Sequence, residues 1–238
     1  LCAKLKSRFG VETELKPARV AYREKIKGKV EAHGRHKKQS GGSGQFGDVW
    51  IRFEPQDEQD DMIFAEEVFG GSVPKNFFPS VEKGLRNAVQ KGVLAGYPLV
   101  GLKATLYDGS YHPVDSNDMA FQTAARLAYQ DGIPKAKPTI LEPIGLLQVT
   151  IPDANLGDIM SDISSKRRGT VLGMNAEDGM QTVEAEVPMA EMSSYTIDLR
   201  SMTQGRGSFT CKFIRYEEAP GNVQQKVIEE AKALAEAE

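Results

Sequence analysis

The sequence predicts an α+β chain of two domains: a βαβ-type sheet-and-helix domain with a long hairpin, followed by a ferredoxin-like split βαβ domain. Three observations carry this expectation. At 238 residues the chain is longer than one average domain and can bury two modest cores. Two segments flanking a glycine-rich stretch alternate apolar and polar residues with the period of a strand. The C-terminal part repeats a strand-helix-strand pattern at constant offset.

The first residues, LCAKLKSRFG, carry no initiator Met and no secretion-signal pattern; they read as the middle of a helix, so a fragment of a longer chain is expected. From Arg19 to Ala32, Tyr22, Ile26, Val30 and Ala32 share one parity and Arg23, Lys25, Lys27 and Lys29 the other, which predicts a half-buried strand with a basic outer face. Val49, Ile51 and Phe53 against Asp48, Trp50, Arg52 and Glu54 predict the second strand of a long hairpin. Asp57 to Asp61 reads as an acidic loop. A helix is expected from about Ser80 to Lys91, with Gly92 as its C-terminal cap, then a strand through Val100, Leu102, Ala104 and Leu106. Asp115 or Ser116 is placed to cap a helix ending near Gly132, and Lys135 to Pro138 reads as a linker.

Beyond it, Pro152 and Pro188, Leu156 and Met192, Ile163 and Leu199, and Gly169 and Gly205 are all 36 residues apart. Two such units make an antiparallel sheet with two helices on one face. Val223, Val227, Ala231 and Leu234 stripe a last helix that should dock on one of the domains.

Composition narrows function. No apolar run approaches the roughly 20 residues of a membrane helix. Cys2 and Cys211 have no thiol or His at zinc-ligand spacing, which fits a cytoplasmic protein, and Cys211 alternates with Phe209 and Phe213 as a buried, inert thiol would. Residues 1–138 hold 21 Lys and Arg against 17 Asp and Glu, and residues 139–238 hold 9 against 16, so the first part is the better placed to meet RNA. Within it Arg23, Lys25, Lys27, Lys29, Arg35, Lys37 and Lys38 form a basic stretch, which a solvated strand face would also produce.

Gly42, Gly44 and Gly47 satisfy G-x-G-x-x-G, but the fingerprint needs a hydrophobic strand before it and a helix after it, and here a strand follows. No Walker phosphate loop occurs, so a nucleotide-dependent enzyme is disfavoured. His33, His36 and His112 are too few for a metal site without carboxylate help, with His33 and His36 on opposite faces of an extended segment, and no nucleophile elbow accompanies His112 and Asp115, so neither catalytic nor metal residues are expected. HGRHKKQSGGSGQFG then reads either as a hairpin tip that approaches RNA, with Arg35, Lys37 and Lys38 as phosphate contacts, or as a flexible loop without a partner. Lys166, Arg167 and Arg168 end the first repeat helix, with Gln204 and Arg206 at the equivalent place in the second copy. This basic corner is either simple dipole capping or a shared RNA-facing edge.

RVAYREKI, HKKQSGGSGQFGDV, GVLAGYP, DGSYHPVDS, LEPI, SKRRG, AEVPMAEM, LRSMTQGRGSF and EEAPGNV occur in the order and at the spacing of bacterial elongation factor G, and the chain resembles the last part of that family over nearly its whole length. The resemblance implies that residues 1–16 are the tail of a third domain, 17–138 a ribosomal-protein-like fourth domain, 139–221 a fifth domain and 222–238 a closing helix. It implies a monomeric arm, with no membrane contact, that promotes movement of tRNA and mRNA. The tip would be Gln39, Ser40, Gly41, Gly42, Ser43, Gly44 and His112, reaching the decoding centre of the ribosome. The fifth domain would lie near the sarcin-ricin loop and stalk base. No cofactor is implied for this part; GTP and Mg would belong to a G domain elsewhere in the parent. A ribosome-protection or recycling paralogue is the alternative, because Ser43 stands where the usual factors often carry Arg, Trp50 faces outward, and the Asp57 to Asp61 loop is shorter and more acidic.

Overall fold

Alternation along the N-terminal half lays down strands whose inward residues need a cover, and the alanine-rich helix further on supplies it. In the computed structural model, residues 2–13, 18–39, 44–57 and 61–237 are described. The elements run Cys2–Phe9 (α1), Arg23–Ile26 (β1), Val30–Lys38 (β2), Gln45–Pro55 (β3), Ile63–Glu66 (β4), Phe78–Ala88 (α2), Leu102–Ser110 (β5), Asp118–Gly132 (α3) and Pro138–Pro152 (β6). Leu156–Ser161 (α4), Thr170–Glu177 (β7), Met180–Pro188 (β8), Tyr195–Met202 (α5), Ser208–Glu218 (β9) and Gly221–Ala237 (α6) follow. Two compact units result, one of residues 22–142 with 217–238, the other of residues 1–21 with 143–216.

In the first unit β2 and β3 form the expected long hairpin, paired from Val30↔Phe53 to Lys38↔Gln45. The sheet order is β2-β3-β5-β4, with β4 parallel to β5. α2 and α3 pack together over one face, closing a core of Val49, Ile51, Phe53, Leu85, Leu102, Leu106 and Phe121. Small residues set the depth of α3. Ala120, Ala124, Ala125 and Ala128 are fully buried, and a Cβ at Gly34 in β2 would overlap the carbonyl oxygen of Ala124.

Several expectations are corrected. The segment Arg19 to Ala32 is not one strand: Lys27 N–H and Gly28 N–H both donate to Ala136 C=O, which turns the chain between β1 and β2. β1 pairs instead with the start of β6. Lys135 to Pro138 is consequently no free linker but a short turn, with Lys137 at φ 53°, that enters β6 at Pro138. α2 begins two residues before Ser80 and ends at Ala88. Gly92 is not its left-handed cap; its N–H donates to Tyr97 C=O, and a Cβ there would strike the Glu24 carboxyl. α3 is capped by Asn117, whose side chain accepts from Ala120 N–H, rather than by Asp115 or Ser116.

Glu24, an outlier among the inward residues of β1, is fully buried. Its carboxylate accepts from the N–H groups of Leu94, Ala95 and Tyr97 at 2.9, 2.8 and 3.3 Å and so holds the 92–97 loop. α6 belongs to the same unit: Gln224 accepts from Ile140 N–H, and Val227 is buried. The predicted stripe is not buried throughout, since Leu234 is exposed.

The second unit has the ferredoxin-like order β9-β6-β8-β7, antiparallel between β6, β8 and β7. The repeat is legible in its backbone. Pro152 and Pro188 are both extended (φ −62°, ψ 145° and φ −61°, ψ 125°) and each opens a short 3-10 turn before its helix. Arg168 and Gln204, again 36 residues apart, share the left-handed region at φ 54° and 53°. Ile163, Leu199, Tyr195 and Val149 fill the core. Cys211 packs partly buried against it, and burial lifts its thiol above the ordinary range, whereas Phe213 on the same strand is half exposed.

Two stability outcomes follow. Gly34→Ala is expected to lower unfolding free energy by about 2 kcal/mol or more, as overpacking against backbone does, whereas Gly157→Ala, where a Cβ meets nothing within 4 Å, should not; urea denaturation separates them. Glu24→Ala leaves three loop N–H groups unpaired and is expected to cost about 3 kcal/mol, with hydrogen exchange of Leu94 and Ala95 amides rising by the same route.

Candidate nucleic-acid interface

At the end of the β2–β3 hairpin where residues 39–44 join the two strands, the last pairs are Lys37↔Phe46 and Lys38↔Gln45, and Gln39 is exposed beyond them. Ser40, Gly41, Gly42 and Ser43 lie outside the described residues. β5 runs to Ser110 beside β3, so the loop that follows it arrives at the same end. There it is tied to the hairpin. Gly44 N–H donates to Asp115 Oδ1 at 3.1 Å and Phe46 N–H to Asp115 C=O at 2.9 Å. Ser116 Oγ donates to Phe46 C=O at 2.9 Å and accepts from His112 N–H at 2.9 Å.

The ring of His112 is half exposed, and its Nδ1 accepts from Asp115 N–H at 3.1 Å and Val114 N–H at 3.3 Å. With Nδ1 used as an acceptor, the neutral ring carries its proton on Nε2. His36 Nε2 lies 2.8 Å from Gln45 Oε1. Lys37, Lys38, Gln39, Gln45, Phe46, His112 and Asp115 surround a hollow of about 130 Å³. Gln39, Gly44 and His112, about 70 positions apart in sequence, are thus brought to one end of one domain.

Two of the glycines there serve the fold. A Cβ at Gly44 would press on the Asp115 carboxyl at 2.7 Å, and one at Gly47 on Ala120 C=O at 2.6 Å. Of the G-x-G-x-x-G pattern, Gly42 lies outside the described residues, Gly44 directly precedes β3 and Gly47 lies within it, so a strand and not a helix follows.

The basic stretch is less basic in three dimensions. Lys25 meets Asp57 at 3.6 Å, Lys27 meets Glu218 at 2.7 Å and Lys29 meets Glu54 at 3.0 Å, while Arg35 stands 3.9 Å from Asp48. Lys27 in turn holds the Glu218 carboxyl below its ordinary range. Lys37 and Lys38 are exposed and make no ion pair among the described residues, so free positive charge concentrates at the tip.

In the second unit the predicted basic corner is largely spent internally. Arg167 is corrected from a phosphate contact to a structural residue, its side chain only 2% exposed. It donates to Asp162 Oδ2 at 2.6 Å, to Glu191 C=O and to Asp198 Oδ2, and lies over the Tyr195 ring at 4.6 Å. A buried guanidinium without those partners would carry a heavy desolvation penalty. Lys166 pairs with Asp198 at 2.9 Å and Arg168 with Glu191 at 3.1 Å, while Arg206 is exposed on the turn after α5. The Lys166 ammonium, then Ser194 and Arg167, draw the Asp198 carboxyl down to about 2.

The sequence of this chain matches the family model of elongation factor G, domain IV, over residues 18–137, and that of the elongation factor G C-terminus over residues 139–227. The chain belongs to the elongation factor G family. It is 50% identical over 228 residues to an elongation factor G-like protein of Thermotoga maritima, covering 95% of this chain and 33% of that one. A crystal structure of a protein from Thermus thermophilus superposes with a TM-score of 0.86 at 43% identity, covering 97% of this chain and 35% of the other. The chain thus spans about a third of the length of these relatives, as a C-terminal part of an elongation factor G-like protein. No helix among the described residues is long and apolar enough to cross a membrane.

Sequence reasoning did not single out Asp115 as the residue joining the two tip loops, nor Glu24 as a loop anchor. Asp115 lay within the quoted DGSYHPVDS stretch, but its contact with Gly44 links positions 71 apart and leaves no local pattern.

Asp198 yields a pH-dependent outcome. Its folded value lies below the ordinary carboxylate value of 3.8, so its stabilising contribution is full above that value and is lost as pH falls through about 2. The melting-temperature advantage of the unmutated chain over Asp198→Asn is therefore expected to shrink steadily between pH 5 and pH 2; thermal scans across that window measure it.

Proposed function

We infer that this chain is the ribosome-engaging arm of a translocation factor, with the tip formed by Gln39 to Gly44 and His112 entering the decoding centre and holding the tRNA–mRNA duplex as it moves. The observation that carries this reading is the tethering of the two tip loops through Asp115 and Ser116, which places His112 beside Lys37, Lys38 and Gln39 around one hollow. The exposed groups there are mostly donors: two ammonium groups and, in neutral His112, an Nε2–H. Donors suit phosphate and ribose oxygens. Asp115, the acid at the site, already accepts from Gly44 N–H.

The arm acts by shape and hydrogen bonding. Occupying the space a displaced duplex has left favours the moved state without any bond being made by these residues, because only differential contact between the two states shifts their populations. In the second unit Arg206, exposed beside the left-handed Gln204–Gly205 turn, is the group best placed to meet large-subunit RNA near the sarcin-ricin loop and stalk base. GTP and Mg would be held by another part of the longer protein, and the phosphate-loop motif that would hold them is absent from this sequence.

In the longer protein, His112→Ala and Asp115→Ala are expected to slow tRNA–mRNA movement on ribosomes while GTP hydrolysis continues; unchanged movement by stopped-flow with labelled mRNA would sink the tip mechanism. Lys37→Glu with Lys38→Glu is expected to weaken ribosome binding and to flatten its salt dependence by roughly one slope unit per lost phosphate contact.

A further inference from the structure

One surface beside the tip is left unexplained by the arm's shape. On the outer face of the hairpin, three successive same-face pairs are Lys37↔Phe46, Arg35↔Asp48 and His33↔Trp50, so that a charged pair stands between two pairs that carry rings. His33 and Trp50 stack with ring centroids 4.4 Å apart and planes 13° apart, and His33 Nε2 is fixed by Asp48 Oδ1 at 2.8 Å. The guanidinium of Arg35, 54% exposed, lies 5.5 Å from the Phe46 centroid.

The stack ties the two strands together and still presents ring surface to solvent, with Trp50 39% and the His33 side chain 37% exposed. The charge around it changes along the face. Toward the tip stand Arg35 and Lys37, and the acid among them, Asp48, is 13% exposed and already accepts from His33 and Ser110. Away from the tip, Arg52 is committed to Glu31 and Glu67, and its guanidinium covers Tyr107. The exposed rings of His33 and Trp50 thus adjoin the exposed cations Arg35 and Lys37 on the side toward the tip.

From this coincidence we propose that the outer face of the hairpin is a base-stacking platform for single-stranded RNA, with the His33–Trp50 pair taking one unpaired nucleobase, the exposed Arg35 guanidinium over Phe46 stacking on a second, and Lys37 meeting a phosphate between them. Aromatic rings stack on any nucleobase face, and cations beside them neutralise the backbone. Phe46 and Trp50 are four residues apart on one strand, about 13 Å, a span that one short single strand reaches. A duplex presents its bases edge-on and fits less well. The platform adjoins the tip through Phe46, which also borders the hollow, but its argument does not depend on what the tip holds.

The sequence supplies its own probe, since Trp50 is the single tryptophan of the chain. Titration of the 238-residue chain with a short oligouridylate is expected to quench tryptophan emission as binding saturates. An abasic phosphodiester of equal length is expected to bind more weakly and leave the emission unchanged. By anisotropy of a labelled oligouridylate, Trp50→Leu and His33→Ala are expected to lose about tenfold in affinity, whereas Trp50→Phe, which keeps a ring, retains most of it. Circular dichroism and a urea midpoint for each variant report whether the hairpin remains folded. Lys38→Glu, on the other face of β2, serves as the tip control and should leave the quench at saturation intact. Saturating binding without quenching, equal affinity for the abasic chain, or full affinity in folded Trp50→Leu each overturns the platform. None of these bears on the tip reading, which stands or falls with His112→Ala on ribosomes.

Discussion

Helix α3 lies against the β2–β3 hairpin at backbone distance, and much of the first unit depends on that approach. Ala120, Ala124 and Ala128 face Gly34 and Gly47, so carbonyl groups of the helix sit where a Cβ of the strand would otherwise be. Such contact maximises dispersion between closely packed atoms but tolerates no added methyl group. It also places the candidate site. α3 starts at Asp118, just after the loop that carries His112 and Asp115, so seating its first turn on Gly47 delivers that loop to the hairpin end. The bonds from Gly44 and Phe46 to Asp115 then lock a position the helix has already set.

Charge is distributed by a different logic in each unit. In the first, acids from neighbouring strands and from the returning C-terminal segment neutralise Lys25, Lys27 and Lys29, leaving Lys37 and Lys38 open at the tip. In the second, Arg167 is drawn inside, where Asp162, Asp198 and the Glu191 carbonyl compensate for its desolvation. A run such as Lys166-Arg167-Arg168 therefore mixes roles: adjacent residues point in different directions, and only one of them is buried.

Membership of the elongation factor G family agrees with this architecture without fixing its details. The outward stack of His33 on Trp50 is a surface feature, and the aromatic rings and charges around it are what give that face a chemistry distinct from the tip.

Periodicity by itself determined the two-domain α+β plan, the long hairpin and the 36-residue repeat, because burial of one face imposes a period of two on strands and recurrence on duplicated units. The glycines between the two strands marked the end of the hairpin, and the ordered stretches from RVAYREKI to EEAPGNV marked the family, which alone pointed to His112. Tertiary structure decided the rest. The break at Lys27–Lys29 needed the Ala136 carbonyl, the burial of Glu24 needed the 92–97 loop, and the fate of Arg167 needed Asp198 from the other repeat. Each is a contact between residues far apart in the chain, and local sequence carries the propensity to form a strand or helix but not the identity of the distant group that will satisfy a charge or a backbone amide.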